Sequence, residues 1–195
     1  GVLAPLTCTA LALESHPPGG GPEQALLVSC DVLFIQRAVR QRIQEQLRTR
    51  LPDFDPAKLQ LNATHTHTGP GFIDSTFGTL YDVSNDPGVM KASEYAGFFV
   101  ERVAETAMSA WRNRKPGAMS WALAYAVVGW NRRSHYTDAS SVMYGDTRLP
   151  TFSHVEGGAD PAVDLLFFWR STSKLDGIVI NLACTSQETE GLNEV

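Results

Sequence analysis

The sequence predicts an α/β fold: a mixed β-sheet with flanking helices that opens on a β-α-β unit. Three observations predict it. An apolar run, ALLVSCDVLFI (25–35), leads into a helical repeat and then into a second strand-like stretch, KLQLNATHTHT (58–68). A second helical stripe falls within 90–114. Two further apolar runs, AVDLLFFWR (162–170) and GIVINLAC (177–184), sit close enough in the chain to pair. Helix-period and strand-period segments that alternate in this way are best buried as helices on a sheet. The 195 residues suit a single domain, 1–195, with a core large enough to need no staples.

The elements follow in order. Residues 6–14 (LTCTALALE) alternate as a strand, and SHPPGGGPEQ (15–24) is a loop. Residues 25–35 have the continuous apolar character of a buried strand. Ile35, Val39, Ile43, Leu47 and Leu51 then recur every four residues, one stripe of a helix that Pro52 closes. With the strand at 58–68 this completes the β-α-β unit, whose strands run parallel as neighbours or near-neighbours. A loop rich in Gly, Asp and Ser covers 69–89. The helix at 90–114 carries Tyr95, Phe99, Val103, Ala107 and Trp111 on one stripe. In GAMSWALAYAVVGW (117–130) the large residues Met119, Trp121, Leu123, Tyr125 and Val127 alternate with small ones, as in a strand. Residues 131–160 are polar and loop-like, and the last two runs form a hairpin across STSKLDG.

Composition narrows the function. The net charge is −5 with no run of Lys or Arg, so nothing marks a nucleic-acid partner. No apolar stretch approaches the roughly 20 residues of a membrane helix, and none resembles a signal peptide. The chain begins at Gly1 and stops just past a predicted strand, so it reads as a fragment. Cys8, Cys30 and Cys184 are odd in number and widely spaced, which suggests no disulfide framework. Free buried thiols are the expectation for Cys8 and Cys30.

The chemistry concentrates in LNATHTHTGPG (61–71). With period-two alternation, Leu59, Leu61, Ala63, His65 and His67 share one face, and the leucines mark it as buried. Both imidazoles are then expected at the carboxyl end of a strand and turned inward, where open α/β sheets bind ligands. Gly69-Pro70-Gly71 stops the strand and lets backbone approach a ligand. Two imidazoles at i and i+2 suit a divalent metal, zinc by default. The alternative is a pair of histidines donating to backbone carbonyls at a sheet edge.

NATHTHTGPG resembles the THTHSGPG signature of the neutral, non-lysosomal ceramidases. PLTCTALALE with ALLVSCD is similar to that family's early strand pair, whose second strand ends in Asp. GWNRRS, with Tyr136 soon after, resembles its Asn-Arg-Ser segment, and DLLFFW with GIVINLA stands where its later strand pair does. The resemblance runs over most of the chain and over the N-terminal part of the family's catalytic domain. It implies a zinc amidase that cleaves N-acylsphingosine, or a related N-acyl lipid, to fatty acid and amine. His65 would bind zinc, His67 would stand beside the metal, and Arg132 would contact substrate. It also implies a secreted or periplasmic location and peripheral contact with membrane lipid, and says nothing of oligomeric state.

The family's second zinc histidine has no counterpart here. NLACTSQETE holds none, which leaves Cys184 as a thiolate ligand, Gln187 as a poor one, or Glu188 and Glu190 as carboxylates. The segment 69–81, carrying Phe72, Phe77 and Tyr81, either walls an apolar substrate slot or pins a long loop. Gly69, Phe72 and Tyr136 are the candidate substrate contacts. His16 reads as a solvated loop residue, His135 as either cleft or loop, His154 as a loop residue with a subsidiary cation site beside Glu156 as the alternative, and Arg133 as a surface ion-pair partner. Two other readings stay open: a related hydrolase for a different amide, and a non-catalytic relative that uses the His65/His67 cleft for binding.

Overall fold

The structure is a computed structural model and describes residues 5–72, 83 and 85–186. The chain divides into two compact units: residues up to Lys115 together with the segment from Ser186, and Pro116–Thr185. The class is mixed α/β, as expected, with small sheets and two α-helices among the described residues.

In the first unit, β1 (Cys8–Ser15) pairs antiparallel with β2 (Glu23–Cys30), which pairs in parallel with β3 (Leu59–Ala63). Helix α1 (Arg37–Arg50) forms the crossover from β2 to β3, so the β-α-β unit is present and its strands are direct neighbours. The stripe predicted for this helix is the one it buries: Val39, Ile43 and Leu47 face the core while the arginines stay outside. Helix α2 (Ala92–Arg112) buries Phe99, Val103, Ala107 and Trp111 from its predicted stripe. Its start is secured by Glu94, which accepts the Lys91 N–H at 2.9 Å. Leu26, Val28 and Cys30 on β2 stand opposite Leu59, Leu61 and Ala63 on β3, and this shared face joins both helices in one core. Trp111 is 1% exposed; its ring lies 4.8 Å from Phe54, and its indole N–H donates to Asp53 Oδ2 at 2.8 Å. That bond, aided by Arg114 and Arg112, holds the Asp53 carboxyl below the usual range against the opposing effect of burial.

The strand expected over 117–130 ends at Tyr125, and two strand ends in the first unit fall short of expectation for one reason. The run 25–35 stops being a strand at Cys30, because the chain bends at Asp31. With Cys30 opposite Ala63, β3 loses its partner there and ends at Ala63, not at Thr68.

In the second unit, β4 (Ala118–Tyr125), β8 (Ala162–Ser171) and β9 (Lys174–Leu182) form an antiparallel sheet in the order β4-β8-β9. β8 and β9 make the predicted hairpin across Thr172 and Ser173. The large side chains of β4 alternate as expected and lie exposed, Trp121 at 75% and Tyr125 at 71%. Residues 131–160 are not simply a loop. They hold a second small sheet, β6-β5-β7, built from β5 (Arg133–Tyr136), β6 (Ser141–Met143) and β7 (Phe152–Val155). Strands of three and four residues rich in Ser, His and Arg carry too little periodicity to announce themselves.

Candidate histidine site

The site begins at the bend after β2. Asp31 N–H donates to the Thr7 carbonyl at 2.9 Å, and its carboxylate accepts from Thr7 twice, at 2.9 Å from N–H and 2.8 Å from Oγ1. The other carboxylate oxygen accepts from Thr64 Oγ1 at 3.2 Å. One aspartate thus ties the start of β1 to the residue before His65. The backbone continues the tie: Thr64 N–H donates to Cys30 O at 3.0 Å, and His65 N–H to Val32 O at 3.1 Å.

His65 has φ 63, in the left-handed region that costs an L-residue energy, although His tolerates it better than most. The turn throws the following chain off the strand direction, and this corrects the expected geometry. His65 and His67 do not continue the Leu59–Leu61–Ala63 face inward; both are exposed beyond the carboxyl end of β3. They nevertheless stay together, with ring centroids 5.2 Å apart at 61°. Thr66 Oγ1 lies 2.9 Å from Thr68 Oγ1 and accepts the Thr68 N–H at 3.3 Å, closing a local turn. Gly69 belongs to the same packing: a Cβ there would stand 3.3 Å from the Asp31 carbonyl. Ser186 N–H donates to Thr64 O at 3.2 Å.

Phe72 is buried among core residues, stacked on Tyr95 at 5.7 Å and tilted against Phe99 at 4.8 Å. Of the two roles expected for it, pinning the loop is the one its packing serves. Phe77, Tyr81, Gln187, Glu188 and Glu190 lie outside the described residues.

In the second unit, Arg132 Nη1 donates to Tyr144 Oη at 2.5 Å, with the guanidinium 5.2 Å from the Tyr144 ring centroid. Tyr136 is buried, its hydroxyl donating to Asp146 O at 3.2 Å. Arg133 pairs with Glu156 at 2.8 Å, as a surface partner should. His135 and His154, opposite each other on β5 and β7, stack at 4.8 Å and 6°. Cys184 is exposed, its thiol donating to Thr185 O at 3.5 Å. His16 is solvated, 3.8 Å from Glu14.

These placements define what the site offers. Two imidazoles stand together at the end of a parallel strand, and among the described residues no group of three or more His, Cys, Asp or Glu is placed to hold a metal. A catalytic zinc takes three protein ligands, and the described residues bring two imidazoles together. His154 and Glu156 belong to no group of three or more such donors among the described residues. Sequence reasoning passed over Asp31 as a site residue and Tyr144 altogether. Asp31 carried one usable signal, an aspartate at the end of an apolar run.

The architecture is that of an α/β unit with a histidine pair at the carboxyl end of its parallel strands. No family model matches the chain, and the search of curated proteins gives no match. The fold is similar to that of neutral ceramidase from Pseudomonas aeruginosa, with a TM-score of 0.56 and 21% sequence identity over 85% of this chain. The chain spans about a quarter of that enzyme's length, 24%. The fold is therefore ceramidase-like, and the neighbour is a hydrolase by name.

Proposed function

We propose that the chain belongs to a zinc-dependent amide hydrolase that cleaves N-acylsphingosine, or a related N-acyl lipid, to fatty acid and amine. The observation that carries this reading is the coincidence of THTHTGPG with the carboxyl end of β3 in a ceramidase-like fold. The left-handed turn at His65 supports it, since strain of this kind collects at functional sites. In this reading His65 is a zinc ligand, His67 stands beside the metal and engages water or substrate, and Arg132 contacts substrate. Bound zinc supplies a Lewis acid and a water of lowered pKa. The chain's own share is to present His65 on a turn anchored by Asp31 and to hold Arg132 against Tyr144. Cys184 is the first of the remaining ligands to test. The reading carries with it a secreted or periplasmic setting and peripheral contact with membrane lipid.

Elemental analysis of the full-length protein, purified without chelator or histidine tag, tests it. About one zinc per chain, lost in His65→Ala together with amide hydrolysis, is the expected result; a folded protein that takes up no added zinc would overturn it. Arg132→Ala should keep the zinc and lose turnover. A second reading keeps the fold and the chemistry but changes the substrate to a non-sphingolipid amide. The absence of histidine from NLACTSQETE favours that divergence, and a panel of N-acyl substrates separates the two.

A further inference from the structure

Cys8 and Cys30, far apart in sequence, are register partners on β1 and β2. The neighbouring pair, Thr7 and Asp31, is joined by the Asp31 N–H donating to the Thr7 carbonyl. Hydrogen-bonded and non-hydrogen-bonded pairs alternate along an antiparallel ladder, so Cys8 and Cys30 form a non-hydrogen-bonded pair. Such pairs bring Cα atoms to about 4.5 Å, within the roughly 4.4–6.8 Å that a disulfide spans. Both side chains lie on the core face, Cys30 with no exposed surface and Cys8 half-buried. The neighbouring thiol holds Cys8 below its ordinary range, against burial and the Asp31 charge, and the same neighbour together with burial pushes Cys30 far up. The more accessible cysteine is thus the better nucleophile, and the buried one is placed to attack it.

We propose that Cys8 and Cys30 are a reversible redox pair, oxidised by a low-molecular-weight disulfide such as oxidised glutathione, that staples the strand ends holding the histidine segment. The Cys8 thiolate attacks one glutathione sulfur; the glutathione disulfide breaks, and one glutathione leaves and takes up a proton. Cys30 then gives up its proton and attacks Cys8 Sγ in the mixed disulfide, forming the Sγ–Sγ bond and releasing the second glutathione as a thiol. Two protein thiols are oxidised while one disulfide is reduced to two thiols, and excess reduced glutathione reverses both steps. The staple acts on the site through short links. Cys30 O accepts the Thr64 N–H, Asp31 grips Thr7 and Thr64, and Val32 O accepts the His65 N–H. The inference rests on strand register, the burial of the two thiols and the hydrogen bonds around Asp31, and is independent of the proposed zinc chemistry.

The test equilibrates the folded chain in glutathione buffers from fully reduced to fully oxidised, then quenches with acid, alkylates and maps peptides by mass spectrometry. Hydrogen exchange is followed at Thr64 and His65. Cys8 and Cys30 should lose alkylation together and appear as one cross-linked peptide, with exchange at Thr64 and His65 slowed several-fold. In Cys30→Ala the reaction should halt at a glutathione adduct on Cys8. Wild-type protein, folded by circular dichroism, that keeps both thiols alkylable, retains the Cys8 adduct, or joins Cys8 to Cys184 would overturn the pairing. Unchanged exchange in cross-linked protein would overturn its action on the histidine segment.

Discussion

Replacing Asp31 by alanine tests whether one carboxylate sets the position of the histidine segment. Asp31 accepts three hydrogen bonds: two from Thr7 at 2.9 and 2.8 Å, and one from Thr64 Oγ1 at 3.2 Å. Bonds to a charged acceptor contribute about 1.5–3 kcal/mol each when well shielded. Thr7 is exposed and Asp31 half-buried, so about 1 kcal/mol per bond is the fitting figure, and Asp31→Ala should cost about 2–3 kcal/mol. Asp31→Asn keeps one acceptor oxygen and should cost about half as much. Urea denaturation of the two variants gives the stability difference. A double-mutant cycle with Thr64→Val isolates the arm that reaches the histidines, with an expected coupling of about 0.5–1 kcal/mol. On the zinc reading proposed above, zinc uptake should weaken in step with that coupling, because the displaced element is the one bearing His65. A loss of stability below about 0.5 kcal/mol, or zero coupling to Thr64, would refute the reasoning and leave Asp31 a solvated turn residue.

Four further outcomes are expected. Trp111→Ala should cost about 3–5 kcal/mol in thermal or chemical unfolding, since it empties a site 1% exposed and leaves Phe54 without its partner. The Asp53 carboxyl, held low by the Trp111 indole, contributes stability above the ordinary aspartate range that is lost as pH falls through its lowered value. Asp53→Asn should therefore flatten the acid limb of a stability–pH curve; the effect is a few tenths of a kcal/mol, because the carboxylate is 60% exposed. His65→Gly should be more stable than His65→Ala by about 1 kcal/mol, as φ 63 suits glycine and strains alanine. Gly145→Ala should destabilise the β6-β5-β7 sheet by about 1–3 kcal/mol, measured by hydrogen exchange, because the new methyl would run into Tyr136 Oη and the Ser134 side chain.

Much of the first unit was legible in the sequence. Val39–Ile43–Leu47 and Phe99–Val103–Ala107–Trp111 repeat with helical period over several turns, and burial follows that period directly. The β-α-β order followed from the same patterning. What could not be read depends on contacts distant in sequence. Strand β3 stops where its neighbour stops, so the outward turn of His65 and His67 was decided by Cys30 and Asp31, far up the chain. Alternation in LNATHTHT continues past the point where the hydrogen-bond ladder ends, and a one-dimensional pattern does not register that end. Cys8 and Cys30 looked unrelated for the same reason: their relation is a register, and the Pro/Gly loop between the strands does not disclose it. Tyr144, which accepts from Arg132, is itself a left-handed residue directly after β6, a strand too short to predict. The two catalytic assignments carried over from the ceramidase resemblance, His67 and Arg132, sit in different units, and substitution is the way to join or separate their roles.

The small sheet within 131–160 bears on how the second unit folds. Strand β4 must find β8 across residues 126–161, a long search for a chain without internal order. Once β5, β6 and β7 pair locally, most of that connection is already condensed, and the span left to close is about three times shorter. Loop-closure entropy grows with the logarithm of length, so the saving is about 1 kcal/mol. The β8–β9 hairpin needs no such help, because two residues join its strands. Refolding should therefore show the hairpin and the small sheet forming early and independently, with β4 docking last. Substitutions in β5 should slow that final step even though β5 pairs with neither β4 nor β8.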